Sequence, residues 1–286
     1  MKIDETRIEY LMHCGPVRIF VKRDDLIPFS FGGNKVRIAA EVFREMEARG
    51  ADTVISYGSA SSNLNRVVAH MAAAAGKKCR VIIKKEEGSG ETFNEKMLLG
   101  SGAELIFTKP EDVRMTVHDT LQKSREAGEN PYYIYGDETG KGGEEVLRRA
   151  YRAVFPEILR QEKALGAHFS EIYLAVGTGS TYEGLRAAAD ADHRICGISI
   201  ARTHEDPDIT DDYLMGGYGK YTPEVGDLIR KMLREHALPL DPTYTGKAFY
   251  GMLRELEKGD RERDVLFLHT GGTPIFYDFL RKDGQI

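Results

Sequence analysis

Lys35 lies just past two glycines, in Phe31-Gly-Gly-Asn-Lys-Val-Arg37, where a turn feeds a helix expected over Asn34 to Arg49. A lysine held at such a junction and partly withdrawn from water has a lowered pKa, and its neutral amine can attack a carbonyl carbon. Alone, the segment reads better as a solvated lysine opening that helix. A second glycine loop reverses the balance. Gly177-Thr-Gly-Ser-Thr181 follows the apolar run Ile172 to Val176 and precedes the helix-like Tyr182 to Asp190. Strand, small-residue loop and helix together make an anion cradle. Backbone N–H groups and the positive end of the helix dipole face the anion, and the hydroxyls of Thr178, Ser180 and Thr181 add donors beside Gly177 and Gly179.

Spacing removes two common phosphate motifs. A dinucleotide fingerprint starting at Gly177-Thr-Gly179 needs glycine at position 182, which is Tyr182. A Walker loop ending in Gly140-Lys141 finds Gly136 one residue too close and Gly142 in place of the magnesium-binding Ser or Thr. A monophosphate site without an obvious metal remains. A lysine able to bond covalently to a carbonyl, together with a cradle for one phosphate, is what pyridoxal phosphate requires.

The chain resembles the fold-type-II pyridoxal-phosphate enzymes, and within them the D-cysteine desulfhydrase and 1-aminocyclopropane-1-carboxylate deaminase family. The resemblance rests on Val21-Lys-Arg-Asp-Asp-Leu26 leading into FGGNKVR, on Asp241-Pro-Thr-Tyr-Thr-Gly-Lys247, and on Leu268-His-Thr-Gly-Gly272. These matches run from about Arg18 to Tyr277 in the family's order. The resemblance implies that Lys35 holds the cofactor covalently and that its phosphate sits on the 177–181 loop. It also implies a small domain at 40–140 inserted into a large cofactor-binding domain made of 1–39 and 141–286, with the cofactor in the cleft between them.

The remaining elements fit an α/β fold of two doubly wound domains with mainly parallel sheets. Strands are expected at Arg18 to Lys22, Thr53 to Tyr57, Arg80 to Lys84, Glu104 to Phe107, Tyr132 to Tyr135, Glu171 to Val176, Arg194 to Ile200 and Asp264 to His269. Helices are expected between them at Ser62 to Ala75, Glu111 to Ala127, Glu144 to Arg160, Pro223 to His236 and Lys247 to Glu257. The segment His204 to Tyr221 shows no regular period and reads as an irregular connection, with a lid or an oligomer contact as alternatives.

The loop Gly58 to Arg66 opens a helix after a strand, so its hydroxyl and amide groups converge at the strand's carboxyl end. Ser61, Ser62 and Asn63 there read as ordinary helix caps. The family resemblance gives them more. It implies that Ser62 faces the substrate near its α-carbon, that Asn63 binds the cofactor's phenolic oxygen, and that the loop backbone takes the substrate carboxylate. The chain departs from the family at Ser61, where Gln is usual, and at Leu64, where His or Gln is usual. Both are candidate substrate contacts. Tyr244 is placed by the resemblance beside the reacting carbons. Thr245 and Thr270 match the desulfhydrase pattern, where deaminase-like sequences carry Glu and Leu. A threonine hydroxyl near the pyridine nitrogen can donate to it without forcing protonation, which suits expulsion of a good β leaving group.

Composition agrees with a soluble enzyme. The 286 residues carry 40 basic and 45 acidic side chains, a net charge of −5 that gives no basic footprint for nucleic acid. Cys14, Cys79 and Cys196 are isolated and read as reduced cytoplasmic thiols. The eight histidines show no metal-ligand spacing, no apolar run reaches a membrane span, and Met1 to Tyr10 is too charged for a signal peptide. A homodimer is the expected assembly. The expected activity is a pyridoxal-phosphate lyase performing α,β-elimination on a small amino acid, D-cysteine-like, to give pyruvate, ammonia and sulfide. Ring opening of an aminocyclopropane acid and β-replacement are the alternatives within the family, and a non-catalytic phosphate-ligand binder is the alternative outside catalysis.

Overall fold

A computed structural model describes residues 1–84 and 92–283. In chain order, the elements begin with β1 (Ile8–Cys14), β2 (Val17–Arg23), α1 (Asn34–Ala48), β3 (Thr53–Ser59), α2 (Asn63–Ala74), β4 (Lys78–Lys84) and α3 (Phe93–Gly100). They continue with β5 (Glu104–Thr108), α4 (Val113–Glu126), β6 (Pro131–Tyr133), α5 (Glu144–Arg152) and α6 (Val154–Leu165). The last are β7 (Phe169–Val176), α7 (Ser180–Arg186), β8 (Arg194–Ser199), β9 (Ile209–Thr210), α8 (Pro223–His236), α9 (Thr245–Leu256), β10 (Arg263–His269) and α10 (Thr273–Asp283). Among the described residues, no helix is long and apolar enough to cross a membrane.

The chain divides into two compact units: Met1 with Lys35–Arg149, and Lys2–Asn34 with Ala150–Ile286. The smaller unit has a parallel sheet in the order β5-β4-β3-β6. Helices cover it on two sides: Ile55, Ile82 and Tyr133 pack with Val117 and Leu121 of α4, while Val81 and Ile83 pack with Ala69 of α2 and Leu98 of α3. The larger unit has the order β1-β2-β10-β7-β8-β9, in which only the β1–β2 hairpin is antiparallel. Its core joins Val17, Ile19 and Val21 of β2 to Tyr173, Ile198, Val265 and Phe267 of the inner strands and to Phe249 and Met252 of α9. Parallel strands covered on both faces place the strand carboxyl ends and the loops after them together, where ligands bind in such folds.

The structure departs from the sequence expectation in a few places. The helix expected over Glu144 to Arg160 is two helices, broken at Ala153. Pro156 lies in the first turn of α6 and has no N–H for the carbonyl of Arg152, so the ladder cannot run through. The edge strands β1 and β9 and the helices α3 and α10 are additional to the expected elements, β9 lying within the segment read as an irregular connection.

Candidate active site

In the larger unit, motifs spread over most of the sequence meet. Lys22, Arg23, Asp24 and Asp25 are all buried at the end of β2, and each has polar partners. Lys22 Nζ sits 3.1 Å from Glu157, Arg23 grips Asp25, and Asp24 accepts from Thr6 and from the Tyr151 hydroxyl. Buried charges persist only when so partnered. The Asp24 carbonyl accepts from Gly33 N at 2.7 Å, which starts the turn leading to Lys35.

That turn is left-handed at four successive residues, Ser30, Phe31, Gly32 and Gly33, with φ of 46°, 61°, 66° and 96°. Such backbone costs a non-glycine residue on the order of 1–2 kcal/mol and persists only where surrounding contacts impose it. Glycine is required twice over here. A Cβ on Gly32 would lie 2.1 Å from the Asp25 carbonyl oxygen, and one on Gly33 2.8 Å from that of Thr270. The FGG and HTGG motifs therefore touch backbone to backbone. Asn34 completes the junction: its N–H donates to the Thr270 carbonyl at 3.1 Å, and its Nδ2 donates to Thr181 Oγ1 at 2.9 Å.

Lys35 follows directly, as the second residue of α1. It is partly shielded from water, and that shielding lowers its amine from the ordinary lysine value to about 8. An amine with that pKa is roughly one-fifth neutral at pH 7.4, against about a thousandth for an ordinary lysine, and the neutral form is the nucleophile or base.

The loop Gly177 to Thr181 joins β7 to α7, with Gly179 in the left-handed region at φ 98°. Thr178 is exposed, Ser180 half-buried and Thr181 buried. The Tyr244 ring lies against the start of this loop, its Cε1 3.6 Å from where a Gly177 Cβ would be. The Tyr244 hydroxyl donates to that of Tyr218 at 3.1 Å, and the two rings meet edge to face. Tyr218 belongs to the segment read from sequence as an irregular connection, and its part in the site was missed.

Asp241 and Lys247, from the same motif as Tyr244, explain how these parts are fixed. Asp241 is fully buried, and its carboxylate accepts from the N–H groups of Thr243, Tyr244 and Thr245 and from the Thr245 hydroxyl at 2.8–3.0 Å. Burial pushes its pKa up, and these four bonds oppose that. They hold the carboxylate at the start of α9, where the helix dipole favours negative charge. Thr245 is thus a buried partner of Asp241, its hydroxyl committed there. Lys247 Nζ, also buried, donates to the carbonyls of Ile200, Leu214 and Gly217 at 3.1, 2.9 and 2.6 Å. One ammonium thereby ties both ends of the 200–217 segment to α9, one residue before Tyr218. Burial draws its pKa down to about 8, against the pull of Asp241, and three acceptors on one nitrogen favour the charged form. Lys247→Met is expected to cost on the order of 2–4 kcal/mol, because three carbonyls lose a charged donor. Urea denaturation measures this, and an unchanged midpoint would mean that Lys247 does not organise the segment.

In the smaller unit, Ser61, Ser62, Asn63 and Leu64 form one turn at the start of α2. Ser62 is the N-cap, its Oγ accepting from Asn65 N at 3.2 Å, as the plainer sequence reading has it. Asn63 Oδ1 accepts from Arg66 Nη1 at 2.7 Å and from Asn94 Nδ2 at 3.1 Å. Arginine can only donate, so the oxygen of Asn63 must face it, and the Asn63 NH₂ is turned away as a donor. Arg66, buried and drawn down to about 10, also donates to Asn94 Oδ1, while Asn94 Nδ2 holds the Ser61 carbonyl. Sequence reasoning missed Arg66 and Asn94 because Asn94 meets this turn across 31 residues. Ser61 Oγ lies 3.2 Å from Ser59 Oγ, and Leu64 is buried.

The candidate residues thus fall into two groups, one in each unit, with Lys35 immediately after the Asn34 junction. Glu162, His168 and His193, distant in the sequence, bring three potential metal-ligand atoms within 4.8 Å of one another, a grouping that histidine spacing does not show. Their separation along the sequence hid it.

The groups present fit pyridoxal phosphate. A lysine with a lowered pKa suits the covalent bond to its carbonyl, the Asn63 amide presents a donor, and the left-handed Gly179 opens a small-residue loop to one phosphate. The sequence profile described as pyridoxal-phosphate dependent enzyme matches residues 6–204. A 1-aminocyclopropane-1-carboxylate deaminase of Rhizobium leguminosarum bv. viciae is 31% identical over 316 residues, covering 94% of this chain and 91% of that protein. One from Rhizobium radiobacter is 29% identical over 326 residues, covering 98% and 96%. The crystal structure of an ACC deaminase homologue aligns with a TM-score of 0.85 at 28% identity, over 97% of this chain and 92% of that one. O-ureido-L-serine synthase shares the fold, with a TM-score of 0.72 at 18% identity over 98% of this chain and 93% of that one. The chain belongs to the fold-type-II family of pyridoxal-phosphate-dependent enzymes.

Proposed function

We propose that this enzyme is a lyase that removes a β leaving group from a small amino acid of the D-cysteine type, the remaining unsaturated amine being hydrolysed by one water to pyruvate and ammonia. The observation that carries this reading is Thr245. Its side chain is buried and its hydroxyl is bound to Asp241, so the position that holds Glu in deaminase-like members carries a neutral group already engaged. A second carboxylate here would bring like charge against a buried one. Thr270, also buried, supplies a hydroxyl where those members have Leu.

When bound, pyridoxal phosphate supplies the electron-withdrawing ring that weakens the bonds at the substrate's α-carbon. Lys35 would hold it covalently, and its amine, with a pKa lowered by shielding, would be the base for the substrate's α-proton. Gly177, Thr178, Gly179, Ser180 and Thr181 would hold its phosphate, and Asn63 would offer its amide N–H to the phenolic oxygen. Ser62 would face the substrate near its α-carbon, and the backbone of the loop at Ser61 to Leu64 would take the substrate carboxylate. Tyr244, hydrogen-bonded to Tyr218, would act beside the reacting carbons as a proton-transfer or stacking group.

Ring opening of 1-aminocyclopropane-1-carboxylate is the second reading, and the names of the relatives favour it over the first. One assay separates the two. The purified enzyme is supplied with D-cysteine, β-chloro-D-alanine and the cyclopropane acid, and keto-acid release is followed. Pyruvate from the β-substituted amino acids with little 2-oxobutanoate from the cyclopropane acid is the expected result. Efficient 2-oxobutanoate formation with no pyruvate would establish the second reading.

A further inference from the structure

Glu162 closes the last turn of α6, His168 leads into β7, and His193 leads into β8. No step of the proposed reaction uses them. The Glu162 carboxylate lies 3.1 Å from His168 Nδ1, and its two oxygens lie 3.2 and 3.0 Å from His193 Nε2. Ligand atoms held tetrahedrally at ~2.0–2.1 Å around one zinc ion stand roughly 3.3 Å apart, so these three are already near ligand spacing. The surroundings are those of a built metal site. His193 Nδ1 sits 2.5 Å from Asp190 Oδ1, a carboxylate that would hold the Nδ1 proton when Nε2, on the Glu162 side, ligates a metal in place of its own proton. Glu162 is itself oriented by the N–H of Phe169 at 2.5 Å. Phe155 meets the His193 ring edge-on at 5.2 Å and fixes its plane. Glu162 and His193 are buried, whereas the His168 side chain is 59% exposed. Two ligands are therefore anchored, and the third stands on the solvent side.

We propose that Glu162, His168 and His193 bind one divalent metal ion of the zinc class, with Asp190 as the carboxylate that orients His193. Two histidines and a carboxylate form a ligand set that zinc and cobalt(II) accept. The ion would join the end of α6 to the turns before β7 and β8, which makes it a structural clasp in the larger unit. A proton shared between His193 and Glu162 is the competing occupant, and metal binding must displace it.

The test titrates the pyridoxal-phosphate-loaded protein, freed of metal by chelation, with zinc chloride by calorimetry and with cobalt(II) by visible absorption. One ion per chain is expected, with the intense cobalt bands of a tetrahedral site. His168→Ala, which removes an exposed side chain and is checked for folding by circular dichroism, should weaken binding at least tenfold. Asp190→Asn should weaken it ~10–100-fold, the usual effect of removing such an orienting partner. Absence of stoichiometric binding would overturn the proposal. So would binding of unchanged affinity in folded His168→Ala, which would place the ion elsewhere.

Discussion

Lys35→Ala should lower turnover at least ~100-fold, the usual scale for loss of a general base, and should leave the cofactor bound without a covalent link. The expectation follows from the junction that presents this residue. Four left-handed residues and the backbone contact of Gly33 with Thr270 fix where α1 begins, and Lys35 is its second residue. Shielding holds its amine at about 8, so in the cofactor-free protein the neutral fraction grows as pH rises through 8 and saturates above it. Covalent uptake of added pyridoxal phosphate should accelerate over that same range and level off on its alkaline side. Stopped-flow absorbance gives the profile. A rate that stays flat until above pH 10 would mean that the reacting lysine is an ordinary solvated one.

Gly179→Asp should weaken cofactor affinity at least ~100-fold, equivalent to about 2.8 kcal/mol. Two effects act together. Gly179 has φ 98°, where a side chain is strained, and a Cβ would come within 3.1 Å of Glu183 Oε1. The added carboxylate would then face the phosphate across the same loop. Gly179→Ala separates these, since it carries the strain without the charge and should lose less. Fluorescence titration of the cofactor-free variants measures both. Undiminished affinity in a folded Gly179→Asp protein would place the phosphate elsewhere.

How much of this was legible in the sequence differs from part to part. Lys35 and the Gly177 to Thr181 loop stood out because glycine spacing and strand–loop–helix order are local properties of the chain. The inner strands were legible for the same reason, as short apolar runs flanked by turn residues. What the sequence hid depends on distant contacts. Nothing near Asn63 announces that Asn94 will hold its amide, and nothing near Tyr244 announces that Lys247 will bring Tyr218 to it. Thr245 was legible as a difference from the deaminase pattern, but its burial against Asp241 was not. The break at Ala153 was readable from Pro156, whose missing N–H ends the preceding ladder, though amphipathic periodicity ran straight across it. The Glu162, His168 and His193 cluster escaped because its members come from three separate loops and helix ends.

The central claim is that Lys35 carries pyridoxal phosphate. Borohydride reduction of the purified enzyme followed by peptide mass mapping tests it most directly. A single cofactor adduct is expected, located on Lys35 in the peptide that follows Gly32-Gly33. An adduct on Lys247 or any other lysine, with Lys35 unmodified, would contradict it.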